Sequence, residues 1–135
     1  AGTPLPEVLH GIDLVVLARP PAGSTGCSTP GPSTTAMRSA LAAAPGEFDV
    51  VYNDIDKDGY PAAWMAARER IRVGGLYVCD NVLWSGRVAV QDRDDPRPVY
   101  TQAILEHNRL IAEDDRFISS IVPTRDGVFV ALRVA

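Results

Sequence analysis

The chain has 135 residues, enough for one domain with a real core. Its hydrophobic content of 46% and charged content of 22% are ordinary for a soluble globular protein, and a net charge of −4 gives no basic field for nucleic acid and no polybasic membrane signal. No apolar run approaches the ~18 residues of a transmembrane helix, and the start lacks the charged and apolar regions of a signal peptide.

The chain opens at Ala1 rather than at a methionine, which reads as a processed or truncated amino terminus. Residues 1–46 read as an atypical leader: 7 of the 11 prolines lie at or before Pro45. Within it, "IDLVVLA" (12–18) is mostly apolar and partly β-branched, and predicts a buried strand. "RPPAGSTGCSTPGPSTT" (19–35) buries too little apolar surface to offset its ordering entropy, and reads as a loop. Its "GSTG" lacks the Lys-Ser/Thr of a phosphate-binding loop. "TTAMRSALAAA" (34–44) predicts a short helix stopped by Pro45-Gly46. The two cysteines, Cys27 and Cys79, are no disulfide framework and favour a reducing, cytoplasmic setting.

After Gly46 the punctuation becomes regular. "FDVVY" (48–52) predicts a short strand. "PAAWMAARERIR" (61–72) predicts a helix with Pro61 in its first turn and Trp64, Ala67 and Ile71 on one face, ended by Gly74-Gly75. "LYVC" (76–79) predicts a second strand, in which Cys79 packs as a small hydrophobe. A polar loop leads to a helix over 99–114, with Tyr100, Ala103, Ile104, His107, Leu110 and Ile111 on one side. "FISSIVP" (117–123) and "GVFVALRV" (127–134) predict strands joined by the hairpin turn "TRDG". The order predicts a parallel α/β sheet closed by an antiparallel hairpin.

In such sheets ligands bind outside the carboxyl ends of the strands. Two predicted strands end in polar residues: one runs into Asn53-Asp54-Ile55-Asp56-Lys57, the other into Asp80-Asn81. On neighbouring strands, ~4.8 Å apart, Asp54, Asp80 and Asn81 converge on one ion. Three oxygen ligands suit Mg²⁺, and Ca²⁺ or Mn²⁺ use similar ones. The same residue types also cap helices and form turns at these places, so capping stands beside metal binding. Lys57 is the only lysine; the other twelve basic side chains are arginine. Lysine loses its proton when desolvated or set beside another cation and then serves as a general base, which arginine does not. A solvated surface lysine is the alternative.

The stretch "FDVVYNDIDKDGY…IRVGGLYVCDNVLWSGRV…TQAILEHNRLIAEDDRF…IVPTRDGVFVALR" resembles the cation-dependent, S-adenosylmethionine-dependent O-methyltransferases, the group of catechol and caffeoyl-CoA O-methyltransferases. The resemblance covers about residues 47–135, two-thirds of the chain, and implies the carboxyl-terminal half of a Rossmann-like class I methyltransferase sheet. It implies Asp54, Asp80 and Asn81 as metal ligands, with Asp54 also on the cofactor side. It implies Lys57 as the base that takes the proton of a phenolic hydroxyl, and Trp84 and Asp56 as part of the substrate pocket. Nothing in residues 1–46 reads as the family's glycine turn E-x-G-x-x-x-G, so this chain is expected to bind a divalent metal but to hold S-adenosylmethionine weakly. A non-catalytic interaction module, pairing through its first strand as in a homodimer, is the second reading. His107 stands where relatives often carry an aromatic residue and is expected to pack.

Overall fold

The structure, a computed structural model, describes the backbone of residues 14–18 and residues 39, 41–42, 46–90 and 94–135. The predicted loop 19–35, Cys27 and most of the predicted helix 34–44 lie outside the described residues; Ser39, Leu41 and Ala42 within that helix are helical.

Five strands form one sheet: β1 (Leu14–Ala18), β2 (Phe48–Asp54), β3 (Ile71–Cys79), β4 (Phe117–Val122) and β5 (Val128–Arg133), in spatial order β1-β2-β3-β5-β4. The first three run parallel, with Leu14 opposite Val50 and Val51 opposite Tyr77. The hairpin β4–β5 joins β3 antiparallel through β5. The alternation of the strands decides the layers. Val51, Asn53, Tyr77, Cys79, Phe129 and Ala131 are buried. Their strand neighbours Val50, Tyr52, Leu76, Val78 and Val130 are only half-buried. The buried face receives helix α1 (Tyr60–Ala67) and helix α3 (Pro98–Ala112). Trp64 of α1 meets Tyr77 and Phe117 edge-on at centroid distances of 5.0 and 4.8 Å. A further short helix, α2 (Arg87–Val90), lies between β3 and α3.

Two expectations are corrected. The helix predicted over 61–72 ends at Ala67, and Ile71 begins β3. "RER" is helix-forming by propensity, but Phe48 N–H bonds to Arg70 C=O and Ile71 pairs with Phe48, so tertiary pairing overrides propensity. Ile71 is buried in either reading, which is why the helical spacing fitted. Gly74-Gly75 do not end a helix; they lie inside β3 beside an irregularity of the β2–β3 register. Gly74 has φ +82, and a Cβ on Gly75 would stand 2.9 Å from Arg72 O and 3.0 Å from Asp49 O, so the strands approach there as only glycine permits. Among the described residues no helix is long and apolar enough to cross a membrane.

Candidate active site

The parallel register brings the ends of β2 and β3 together. Asn53 pairs with Cys79, and Asp80 N–H donates to Asn53 C=O at 3.3 Å, so Asp54 and Asp80 leave neighbouring strands at the same level. Asp54 closes β2, Asp56 precedes a 3-10 turn over Lys57–Gly59, and Lys57 opens that turn. The turn runs directly into α1, whose first residue, Tyr60, is fully buried.

Lys57 is the hub. Its Nζ donates to Asn81 Oδ1 at 3.0 Å and to the Tyr60 hydroxyl at 2.5 Å. The Tyr60 hydroxyl in turn donates to Asp80 C=O at 2.7 Å. Burial lowers the Lys57 pKa from the ordinary lysine value, against the pull of Asp54, Cys79, Asp80 and Asp126, which favour its charge. Burial pushes the Tyr60 phenol far above its usual range, so it stays a neutral relay. Cys79, free and fully buried as expected, is pushed up to about 12 by desolvation and is no nucleophile.

A cavity of about 340 Å³ opens over these strand ends, lined by Asp54, Ile55, Asp56, Lys57, Asn81, Trp84, Arg97 and Tyr100. It adjoins a cleft of about 560 Å³ that shares Asp56, Arg97 and Tyr100. Of the six residues singled out in the sequence, five line the inner cavity. The sixth, Asp80, is not among the lining residues; its Oδ1 accepts Asn81 N–H at 2.7 Å. Trp84 meets Tyr100 edge-on at 6.0 Å, and its Nε1 is buried without a hydrogen-bond partner.

Tyr60, Arg97, Tyr100 and Asp126 were not assigned to a site from sequence. Asp126 lies in the β4–β5 turn, where "TRDG" signals only a hairpin. Its carboxylate accepts Asn81 Nδ2 at 3.3 Å and also the Ser85 N–H. Asn81, Trp84 and Ser85 all have left-handed φ, of 59, 50 and 54°, a conformation that asparagine tolerates better than most residues.

Among the described residues no three His, Cys, Asp or Glu side chains form a metal-holding group. The donor set to be tested is thus two carboxylates and one amide oxygen. Asp54 and Asp80 act together on both Lys57 and Tyr52, and Asn81 turns its oxygen, not its nitrogen, toward Lys57. All three donors are hard oxygens close to Lys57, the chemistry a hard divalent cation requires.

A parallel sheet with a polar cavity at its strand ends, closed by an antiparallel hairpin, is the architecture of the class I methyltransferases. A profile of the O-methyltransferase family matches residues 29–134, and the chain belongs to that family. It is 35% identical over 94 residues to caffeoyl-CoA O-methyltransferase of Petroselinum crispum, covering 67% of this chain and 39% of that protein. It is 38% identical over 93 residues to the enzyme of the same name from Pinus taeda, covering 66% and 36%. Among solved structures, the O-methyltransferase from Bacillus cereus in complex with SAH is similar, with a TM-score of 0.64 and 25% identity over 73% of this chain and 46% of that one. The chain thus spans less than two-fifths of the length of these curated relatives.

Proposed function

We propose that this chain carries the metal-side and acceptor-side part of an S-adenosylmethionine-dependent O-methyltransferase that acts on a phenolic or catechol-type hydroxyl. The observation that supports it most is Lys57: a desolvated amine in the cavity, bonded to Asn81 Oδ1 and to the Tyr60 hydroxyl. Asp54, Asp80 and Asn81 would hold a divalent cation through oxygen, Mg²⁺ first, with Ca²⁺ or Mn²⁺ as the alternatives. When bound, the cation lowers the pKa of a chelated hydroxyl, and S-adenosylmethionine supplies the methyl group. The chain's own residues do the rest. Lys57 Nζ takes the hydroxyl proton, which a guanidinium in its place does not. Tyr60, bonded to Lys57 and to the Asp80 carbonyl, fixes where that amine stands. Trp84 and Tyr100 form an aromatic wall on which a phenol ring packs, and Asp56 flanks the entrance toward the outer cleft. The proposed setting is reducing and cytoplasmic, on the low cysteine content.

The test is methyl transfer to catechol with S-adenosylmethionine and Mg²⁺, in this chain and in Lys57→Arg. Activity that falls by about 10²- to 10⁴-fold in Lys57→Arg while the fold persists supports the general base. Equal activity in the two removes Lys57 from the role.

A second reading, a non-catalytic interaction module, is favoured by β1, which stands at the sheet edge. Among the described strands none pairs with its outer side, and such a parallel edge is a template for pairing with another chain, a second copy included. Sedimentation velocity separates the readings: a monomer that transfers methyl groups supports the first, and an inactive dimer supports the second.

A further inference from the structure

We propose that Asp126 is a positioning residue for the cation site: it fixes the Asn81 side-chain amide so that the oxygen, not the nitrogen, faces the cavity. The inference rests on the reading of Asp54, Asp80 and Asn81 as cation ligands.

An asparagine amide presents a donor on one side and an acceptor on the other, and the two orientations are nearly isosteric. What selects one is the charge on each side. Asn81 Nδ2 donates to Asp126 Oδ2 at 3.3 Å, while Oδ1 accepts from Lys57 Nζ at 3.0 Å. A carboxylate accepts only, so the flipped amide loses its bond to Asp126 and sets oxygen against oxygen there. Asp126 is itself held. Its C=O accepts Leu83 N–H at 2.9 Å, and Gly127 C=O accepts Val82 N–H at 3.1 Å, which docks the β4–β5 turn onto the segment after Asn81. Its other carboxylate oxygen takes the N–H of Ser85, one of the two adjacent left-handed residues that shape the loop carrying Trp84. One side chain therefore sets both the Asn81 oxygen and the backbone of the cavity wall.

The test is a double-mutant cycle read by Mn²⁺ affinity, measured by electron paramagnetic resonance. Asp126→Asn keeps the shape of the turn residue. In the parent chain it lowers Mn²⁺ affinity by about 10- to 100-fold. In the Asn81→Asp background both oxygens at position 81 are equivalent and need no orienting, so Asp126→Asn there leaves affinity within about threefold or raises it, by removing a like charge. An equal loss in both backgrounds reveals a purely structural turn and overturns the proposal. Absence of Mn²⁺ binding in the parent overturns the cation reading instead. The amide is then judged by nuclear Overhauser contacts of the Asn81 side-chain NH₂. Contacts to the Asp126 β-protons that disappear in Asp126→Asn support the positioning, and contacts to the Lys57 ε-protons refute it.

Discussion

The Tyr77 hydroxyl and His107 Nε2 lie 3.0 Å apart in the core, and this pair holds the histidine neutral. Asn53 Nδ2 donates to Tyr77 at 2.9 Å, so the Tyr77 proton goes to Nε2. On the other side His107 Nδ1–H donates to Asn108 Oδ1 at 2.9 Å, and Asn108 Nδ2 donates to Val82 C=O at 3.1 Å. These bonds at Tyr77, His107 and Asn108 are all satisfied when His107 carries one proton, on Nδ1.

Burial accordingly lowers the His107 pKa from 6.5 to about 4. The unfolded chain takes up the proton near 6.5 and the folded chain only near 4, so between these values the unfolded state binds more protons. Stability therefore rises with pH across that window and is lost as pH falls through it, by up to roughly 3 kcal/mol. Urea denaturation at pH 7 and pH 4.5 measures the loss. His107→Phe is expected to flatten the dependence in this window; an unchanged slope means that another group titrates there.

The hairpin turn makes a sharper steric prediction. Gly127 has φ +80, and a Cβ there would run into the Leu83 side chain. Gly86 has the same φ of +80 with nothing within 4 Å. Gly86→Ala is thus expected to cost about 1–2 kcal/mol for the left-handed backbone alone. Gly127→Ala adds overpacking of about 1–3 kcal/mol to that cost. Equal losses in thermal denaturation would show that the turn is not seated on Leu83.

A third prediction concerns the far end of the sheet from the cavity. The nearly buried Asp114 side chain accepts Arg116 Nη2 at 2.9 Å and Arg68 Nη1 at 3.2 Å. Arg116 also grips both oxygens of Glu69, so the turn before β4 is tied to the end of α1. Asp114→Ala leaves two guanidinium groups without their shared acceptor and is expected to cost about 1.5–3 kcal/mol. Glu69→Ala, at an exposed pair, is expected to cost about 1 kcal/mol or less. Reversal of that order in denaturant midpoints would refute the assignment.

The legibility of this molecule follows the range of its interactions. Strands β2, β4 and β5, the second half of β3 and helix α3 stand out in the sequence because each is an apolar run or stripe bounded by turn residues. Asp54, Lys57 and Asn81 are legible because strand ends in a parallel sheet converge by geometry, and five of the six chosen residues line one cavity. The end of α1 is not legible: "RER" favours helix locally, and only the pairing of Ile71 with Phe48 stops it. Asp126 is equally hidden, since its partners Asn81 and Ser85 lie more than 40 residues away along the chain. His107 was expected to pack, and it does; its bonds to Tyr77 and Asn108 depend on register and could not be read from spacing.

The last prediction separates cation binding from cofactor binding in this chain. The candidate cation donors and Lys57 all belong to the β2 and β3 ends, so that part of the chemistry is carried by described residues. Cofactor affinity needs more: close backbone approach at a glycine turn, and an acid that grips ribose hydroxyls. Residues 1–46 contain no E-x-G-x-x-x-G motif. Loss of two such contacts, at roughly 1.5–3 kcal/mol each, weakens binding by about two to four orders of magnitude. Calorimetric titration of this chain is therefore expected to show Mg²⁺ or Mn²⁺ binding that Asp54→Asn abolishes, and S-adenosylmethionine binding no tighter than about millimolar. Micromolar S-adenosylmethionine binding would instead mean that residues 1–46 supply the ribose and backbone contacts by another motif and are part of the methyltransferase site.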